Sequence, residues 1–395
     1  MHGWKASLIC SLVVTGSALG VDESHYRQGR ELAGKAIAWL RTQQDAKTGG
    51  WSVNPQKDAP QFPAVTGLVL NGILMEPGEG MSDPTVSKGA GYILSFKQSD
   101  GGLYDRVLPS YNTAICVSAL ARVHTAEAAK GVEDGIAFLK KLQWGEDSFG
   151  DLQKDTNKVS KDNAFYGGMG YGKTGRPDLS NLAMFMQAMH DAGVPCDDPA
   201  YQRAIVFLQR TQMDESVNDM EYAKGSHQGG FIYSTSPAKD KVGKGESKAG
   251  EIEELQPDGT KVSRLRAYGS MTYAGFKGYI YANLKRDDPR VKLAHDWITK
   301  NYTLSENPGL GKSGMYYYYL TFSRALNAWG PQTIDVAGEG TLKPVTRDWA
   351  NDLIDQLATM QNADGSFKTI DGKWMEDNQV LVTAYGLLAL QHAVN

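Results

Sequence analysis

Apolar positions recur at helical spacing in one segment of this chain after another, and two kinds of segment alternate. In the first kind only one face is apolar. Leu32, Ala33, Ala36, Ile37 and Leu40 set the pattern. The same spacing predicts helices from Val86 to Phe96, Val132 to Leu142, Tyr201 to Thr211, Val291 to Asn301 and Trp349 to Met360. Asp83-Pro84, Asp198-Pro199 and Asp288-Pro289 mark three of the starts, each an N-cap acid before a proline whose missing N–H costs nothing in the first turn. In the second kind, apolar and small residues run almost all the way round, as in Ala64 to Leu74, Asn112 to Leu120, Asn181 to Met189 and Val382 to Leu390. A helix apolar on most of its circumference is a buried one. The alternation predicts two concentric layers, with the second kind inside.

A glycine-rich phrase closes the outer helices. It reads Gln43-Gln44-Asp45 with Gly49-Gly50-Trp51, then Gln98-Ser99-Asp100-Gly101-Gly102-Leu103, then Asp147-Ser148-Phe149-Gly150. It returns as Gln228-Gly229-Gly230-Phe231 and Gln361-Asn362-Ala363-Asp364-Gly365-Ser366-Phe367, with a fainter copy at Glu306-Asn307-Pro308-Gly309-Leu310-Gly311. Repetition at a period of tens of residues means one supersecondary unit used in an array. Six helix–turn–helix units closing head to tail give an all-α fold, an α/α toroid, in which inner-helix starts surround a central cavity. One domain over residues 21–395 is expected. The polar stretch at about 236–266 has no apolar period and is expected to be a flexible surface insertion.

Composition narrows the partners. The chain has 395 residues, 41% hydrophobic and 22% charged, with a net charge of −4, and this balance excludes the basic surface that nucleic acid requires. Residues 1–20 carry Lys5, an apolar stretch from Ala6 to Leu19 and the small-residue exit Ala18-Leu19-Gly20. That is the pattern of a secretory signal peptide, so a secreted or periplasmic protein without a stable membrane span is expected. Cys10 would leave with the signal, and Cys116 and Cys196 are expected as free thiols. His124, His190, His227, His295 and His392 form no ligand spacing, so neither a metal nor a cofactor is expected.

The glutamine–glycine–aromatic phrase resembles the QW motif of squalene–hopene and oxidosqualene cyclases. The mature chain as a whole looks like a prenyltransferase/squalene-oxidase repeat protein of the terpenoid cyclase and protein prenyltransferase superfamily. The likeness is densest at Arg176 to Asn181, Tyr268 to Gly275, Gly314 to Tyr319, Trp374 to Glu376 and Leu381 to Tyr385, stretches similar to a secreted branch common in planctomycetes. The resemblance implies the toroid and an apolar ligand. It does not carry the chemistry over. Class II cyclases protonate their substrate with the central acid of Asp-x-Asp-Asp-Thr-Ala, and here Asp178-Leu179-Ser180-Asn181-Leu182-Ala183 puts Ser180 in the donor's place. The zinc set of protein prenyltransferases is missing too, because neither Cys116 nor Cys196 has an Asp two residues before it.

Asp178, Glu376 and Asp377 remain as candidate catalytic carboxyls. Tyr111, Asn112, Ser180, Asn181, Thr272, Tyr273, Tyr317 and Tyr318 are the candidates for the cavity wall, because aromatic faces beside a few polar groups suit an apolar small molecule with one polar end. Asp178 after Pro177 has a second reading as an inner-helix N-cap, and Glu376 and Asp377 have one as first-turn acids. Of Tyr316 to Tyr319 at most two can face one side of a helix. Three functions compete: an exported toroid that binds an apolar terpenoid or lipid, a terpenoid cyclase-like enzyme with non-standard acids, and a polysaccharide-acting enzyme with paired carboxyls.

Overall fold

The computed structural model describes residues 21–56, 58–147, 157–172, 175–338 and 343–395. The proposed signal peptide and Ser148-Phe149-Gly150 of the third phrase lie outside the described residues. Among the described residues there are twelve α-helices. The outer ones are α1 (Glu23–Thr42), α3 (Pro84–Leu94), α5 (Ala126–Leu142), α7 (Pro199–Thr211), α9 (Pro289–Lys300) and α11 (Trp349–Met360). The inner ones are α2 (Pro63–Leu74), α4 (Pro109–Leu120), α6 (Leu179–Asp191), α8 (Gly269–Tyr281), α10 (Met315–Trp329) and α12 (Gln379–Val394).

Burial follows the two apolar patterns. In α1 only the stripe Gly29, Leu32, Ala33, Ala36, Ile37 and Leu40 is buried, whereas α2 is buried from Pro63 to Ile73 without a break. The inner helices pack in chain order, α2 on α4, α4 on α6, α6 on α8, α8 on α10 and α10 on α12, and α12 packs back on α2. The ring is closed. Each outer helix lies against the inner ring, and α1 closes the outer layer by packing on α12 and α11. At this seam a Cβ on Gly29 would sit 2.6 Å from Val394 Cγ1, so glycine is what lets the two helices approach.

The repeated glutamine ties outer helices together. Gln44 Nε2 donates to the carbonyls of Gly49 and of Thr85 in α3, both at 2.9 Å. Gln143 does the same for Gly167 and Ala200 in α7, at 3.0 and 2.9 Å. Gln212 reaches Gly229 and Arg290 in α9 (2.8 and 2.9 Å), and Gln361 reaches Gly365 and Leu32 in α1 (3.1 and 2.9 Å). A second repeated contact lies just past the glycines, one residue on in three units and two in the last. The backbone N–H groups of Trp51, Leu103, Phe231 and Phe367 donate to the hydroxyls of Thr66, Thr113, Thr272 and Thr383 on the inner helices, at 2.9–3.1 Å.

Two phrases need correction. In the third unit the glutamine's acceptor is Gly167, far beyond Asp147. In the fourth the staple is Gln212, while Gln228 bonds Leu265 O and Glu254 Oε1. Insertions between glutamine and glycines had erased the spacing in both.

Three two-stranded antiparallel ribbons decorate the ring: β1–β2 (Gln212–Asp214, His227–Phe231), β3–β4 (Glu251–Leu255, Lys261–Leu265) and β5–β6 (Thr333–Val336, Val345–Asp348). The ribbon β3–β4 lies in the insertion expected to be flexible and featureless. Its register runs from Glu251 opposite Leu265 to Leu255 opposite Lys261. The turn Pro257-Asp258-Gly259 holds it, with Gly259 at φ +85° and Asp258 Oδ1 accepting from Thr260 N at 2.9 Å. Both faces of the ribbon are largely exposed, so no apolar alternation marks it in the sequence.

Candidate binding cavity

The starts of all six inner helices meet around one cavity of about 240 Å³. From α2 come Ala64, Val65 and Leu68, from α4 Tyr111, Asn112 and Ile115, and from α6 Ser180. Ser270 and Met271 of α8, Tyr317 of α10, and Leu381 and Tyr385 of α12 complete the wall. Connecting segments add Tyr171, Tyr233, Tyr268, Asn307 and the strap Trp374-Met375-Glu376. Trp374 and Met375 are 44% and 46% exposed, so they stand at the mouth. Lys248, from the inserted segment, also reaches the cavity. It pairs with Glu246 at 2.5 Å and lies 4.8 Å over the Tyr233 ring.

Several polar lining groups are already occupied as helix caps. An α-helix start leaves N–H groups without intrahelical partners. Asn112 Oδ1 accepts from Ala64 N of α2 at 3.1 Å, and Asn307 Oδ1 accepts from Ser270 N of α8 at 3.0 Å. Glu376 Oε1 accepts from Tyr316 N and Tyr317 N of α10, both at 3.0 Å. That helix has only Gly314 at its own N-cap position and no cap of its own. Ser180 Oγ is 3.0 Å from Tyr317 OH, a bond that joins α6 to α10 past α8.

Glu376 differs from the other caps. Its residue is 1% exposed, and its second oxygen, Oε2, has no hydrogen-bond partner among the described residues. Burial pushes its carboxyl up to about 7, against the pull of the backbone N–H groups of Tyr317, Tyr316 and Met315. Desolvation therefore outweighs the cap. Asp178 is also raised, to about 6, again chiefly by burial and against its bonds to Asn181 and the nearby Arg176 charge.

The structure places the remaining sequence candidates as follows. Asp178 lies outside the cavity wall as the N-cap of α6, accepting from Asn181 N at 2.9 Å and from Asn181 Nδ2 at 2.9 and 3.1 Å. Asn181 is consumed by the same contact and stands outside the wall. Asp377 is exposed. Thr272 is the fourth unit's repeat threonine, turned to Phe231 N. Tyr273 packs against Tyr318 and Phe322, with ring centroids 5.7 and 5.0 Å away. Of the tyrosine run only Tyr317 lines the cavity. The hydroxyls of Tyr316, Tyr318 and Tyr319 donate to the carbonyls of Lys368, Thr303 and Leu304. Thus Tyr111, Asn112, Ser180, Tyr317 and Glu376 come together, and Asp178, Asp377, Asn181, Thr272, Tyr273 and Tyr318 do not. Tyr171, Tyr233, Tyr268, Tyr385 and Trp374 were missed as wall residues. Tyr385 could have been found, since it stands one helical turn after Leu381 on an inner helix. Cys116 is buried and Cys196 exposed, both as free thiols. Among the described residues no group of His, Cys, Asp and Glu is arranged to hold a metal ion.

A closed ring of inner helices inside an outer ring, with one cavity at the inner-helix starts, defines a squalene-cyclase-like α/α toroid. No protein-family model matches the chain. A squalene–hopene cyclase of Bradyrhizobium diazoefficiens is 25% identical in an alignment 221 positions long that covers 49% of this chain and 30% of that enzyme. The match thus spans less than a third of that relative's length. The type II terpene cyclase MstE from Scytonema, solved with geranylgeranyl dihydroxybenzoate, superposes with a TM-score of 0.52 at 12% identity, covering 95% of this chain and 99% of that one. An unsaturated glucuronyl hydrolase specific for heparin superposes with a TM-score of 0.57 at 12% identity, covering 93% and 97%. At these identities the likeness to the solved structures is one of fold.

Proposed function

We propose that this toroid binds an apolar small molecule, terpenoid or lipid in character, with its polar end at the inner-helix starts. The observation that carries this reading is the cavity wall: aliphatic side chains and eight aromatic ones, with Asn112, Asn307 and Glu376 already used as caps. A sugar-cleaving centre needs two carboxyls about 5–10 Å apart across its substrate. Glu376 is the one acid among the lining residues, and Asp178 is spent on capping α6. The reading includes export, with residues 1–20 removed.

The test is extraction and mass spectrometry of small molecules retained by protein purified from its own host. An apolar compound held in stoichiometric amount by wild type, and lost when Tyr317→Asp puts a charge into the wall, is the expected result. Protein free of any retained compound, and unable to bind terpenoids or lipids added back, would overturn it. N-terminal sequencing of the exported form should begin near Val21.

Cyclisation is the second reading, and Glu376 is the observation that favours it, as a buried carboxyl in the cavity held near neutrality. The family's donor position nevertheless carries Ser180, bonded to Tyr317. General-acid donation typically contributes ~10²–10⁴-fold. Incubation with squalene or oxidosqualene is therefore expected to give no product above buffer. Cyclic products from wild type that vanish in Glu376→Gln would replace binding by catalysis.

A further inference from the structure

The cavity wall holds one carboxyl with an oxygen that no described residue meets. Its two charged lining residues are Lys248 and Glu376. Lys248 shares Glu246 with Arg176 and lies over the Tyr233 ring. Glu376 has spent Oε1 on two N–H groups of α10, while Oε2 is buried with lone pairs that nothing among the described residues meets. An ionised carboxylate buried with one side bare is costly, and a cation that donates to it recovers much of that cost. Around it the wall presents the rings of Tyr111, Tyr268, Tyr317, Tyr385 and Trp374. Aromatic faces attract a cation, and more strongly when water is excluded.

We propose that the ligand carries a protonated amine on an apolar body, with the buried Glu376 side chain turning so that Oε2 accepts from the ammonium, and with the carbon chain lying along the aromatic wall. This rests on the binding reading above and names the ligand's polar end. A neutral alcohol would satisfy a lone pair of Oε2 but leave its charge bare. A carboxylate would add a second negative charge beside it. The groups that face Glu376 are Asp371 on its own strap, Tyr316 and Tyr319 on α10, and Tyr385 on α12. Burial holds all three phenols above their ordinary range, so Glu376 is the group among them that changes charge near neutrality.

The experiment is titration calorimetry of the mature protein with octylammonium, 1-octanol and octanoate. At about pH 8, octylammonium should bind at least ~10-fold tighter than octanol, with octanoate weakest. The preference should disappear in Glu376→Gln, which keeps a carbonyl oxygen for the α10 N–H groups. It should also fade in wild type as pH falls to about 5.5 and Glu376 takes up its proton. Asp178 is raised to about 6 and acts on Tyr317, Tyr268 and Tyr233 of the wall, so the pH series is run in Asp178→Asn as well, and a preference that fades there on acidification belongs to Glu376 even if Glu376→Gln fails to fold. Octanol binding as tightly as octylammonium, or a preference that survives acidification or Glu376→Gln, would overturn the amine and leave the apolar cavity standing. If none of the three probes binds, the binding reading itself falls.

Discussion

Glu376 and Asp178 are buried carboxyls at inner-helix starts with opposite relations to the cavity, and their titration separates them from surface acids. Both carboxyls are raised in the folded chain, Glu376 from 4.5 to about 7 and Asp178 from 3.8 to about 6. A raised carboxyl holds its proton in the folded state after the unfolded chain has lost it. Stability therefore falls as pH rises through the interval between the two values, and is level below it and above it. For Glu376 the loss is on the order of 3 kcal/mol. Urea unfolding of wild type and Glu376→Gln should show wild type losing about that much relative to the variant between about pH 4.5 and pH 7.5. A constant difference would show that burial does not raise the Glu376 carboxyl above its unfolded value. At Asp178 the cap is the larger matter. Asp178→Ala should cost about 1–2 kcal/mol in the same assay, and Asp178→Asn, which can still accept from Asn181 N, should cost less. Equal losses would contradict the capping role.

The elements show why the repeat was legible and the site only partly so. One-sided and all-round apolar periods gave most of the outer and inner helices to within a turn or so, and Trp349–Met360 residue for residue. But α1 and α5 begin well before Leu32 and Val132, and α8 and α10 had no expected range. Periodicity reports which side chains are buried, not which buried side chain faces the axis and which faces the outer ring. Thr272 and Tyr317 both read as inner-helix starts, yet one is bonded to Phe231 N and the other lines the cavity. The strap residues Trp374 and Met375 were beyond reach, because both adopt positive φ (58° and 66°) in a short turn that no period marks. The glutamine staple can be tested directly. Gln361→Ala leaves the carbonyls of Leu32 and Gly365 without their donor, and should cost about 1–3 kcal/mol in urea unfolding. Thr383→Val strands Phe367 N–H in the core and should cost a similar amount. Gln98→Ala should cost less, since Gln98 bonds only its own turn at Phe96 and Tyr104.

At the scale of the whole molecule, closure brings the two ends of the described chain together, α1 against α12 at Gly29 and Val394. Gly29→Val should therefore destabilise the ring by about 1–3 kcal/mol through overpacking at that seam. A circular permutant should fold to the same toroid if a short linker joins Asn395 to Val21 and new ends open between Asp258 and Gly259, at the tip of the exposed ribbon. Matching far-UV circular dichroism and small-angle scattering for parent and permutant are expected, and an expanded permutant would show that chain order is needed for closure. The staples carry a further consequence, for how such a protein diverges. Gln44, Gln143, Gln212 and Gln361 bind the outer layer, and the repeat threonines bind outer turns to inner helices, while Tyr111, Tyr385 and Met271 at the axis take no part in either. Drift at those axis positions leaves the frame intact. Asn112, Asn307 and Glu376 both line the cavity and cap a helix, so a lineage can reshape the cavity by altering tyrosines long before it can alter a cap.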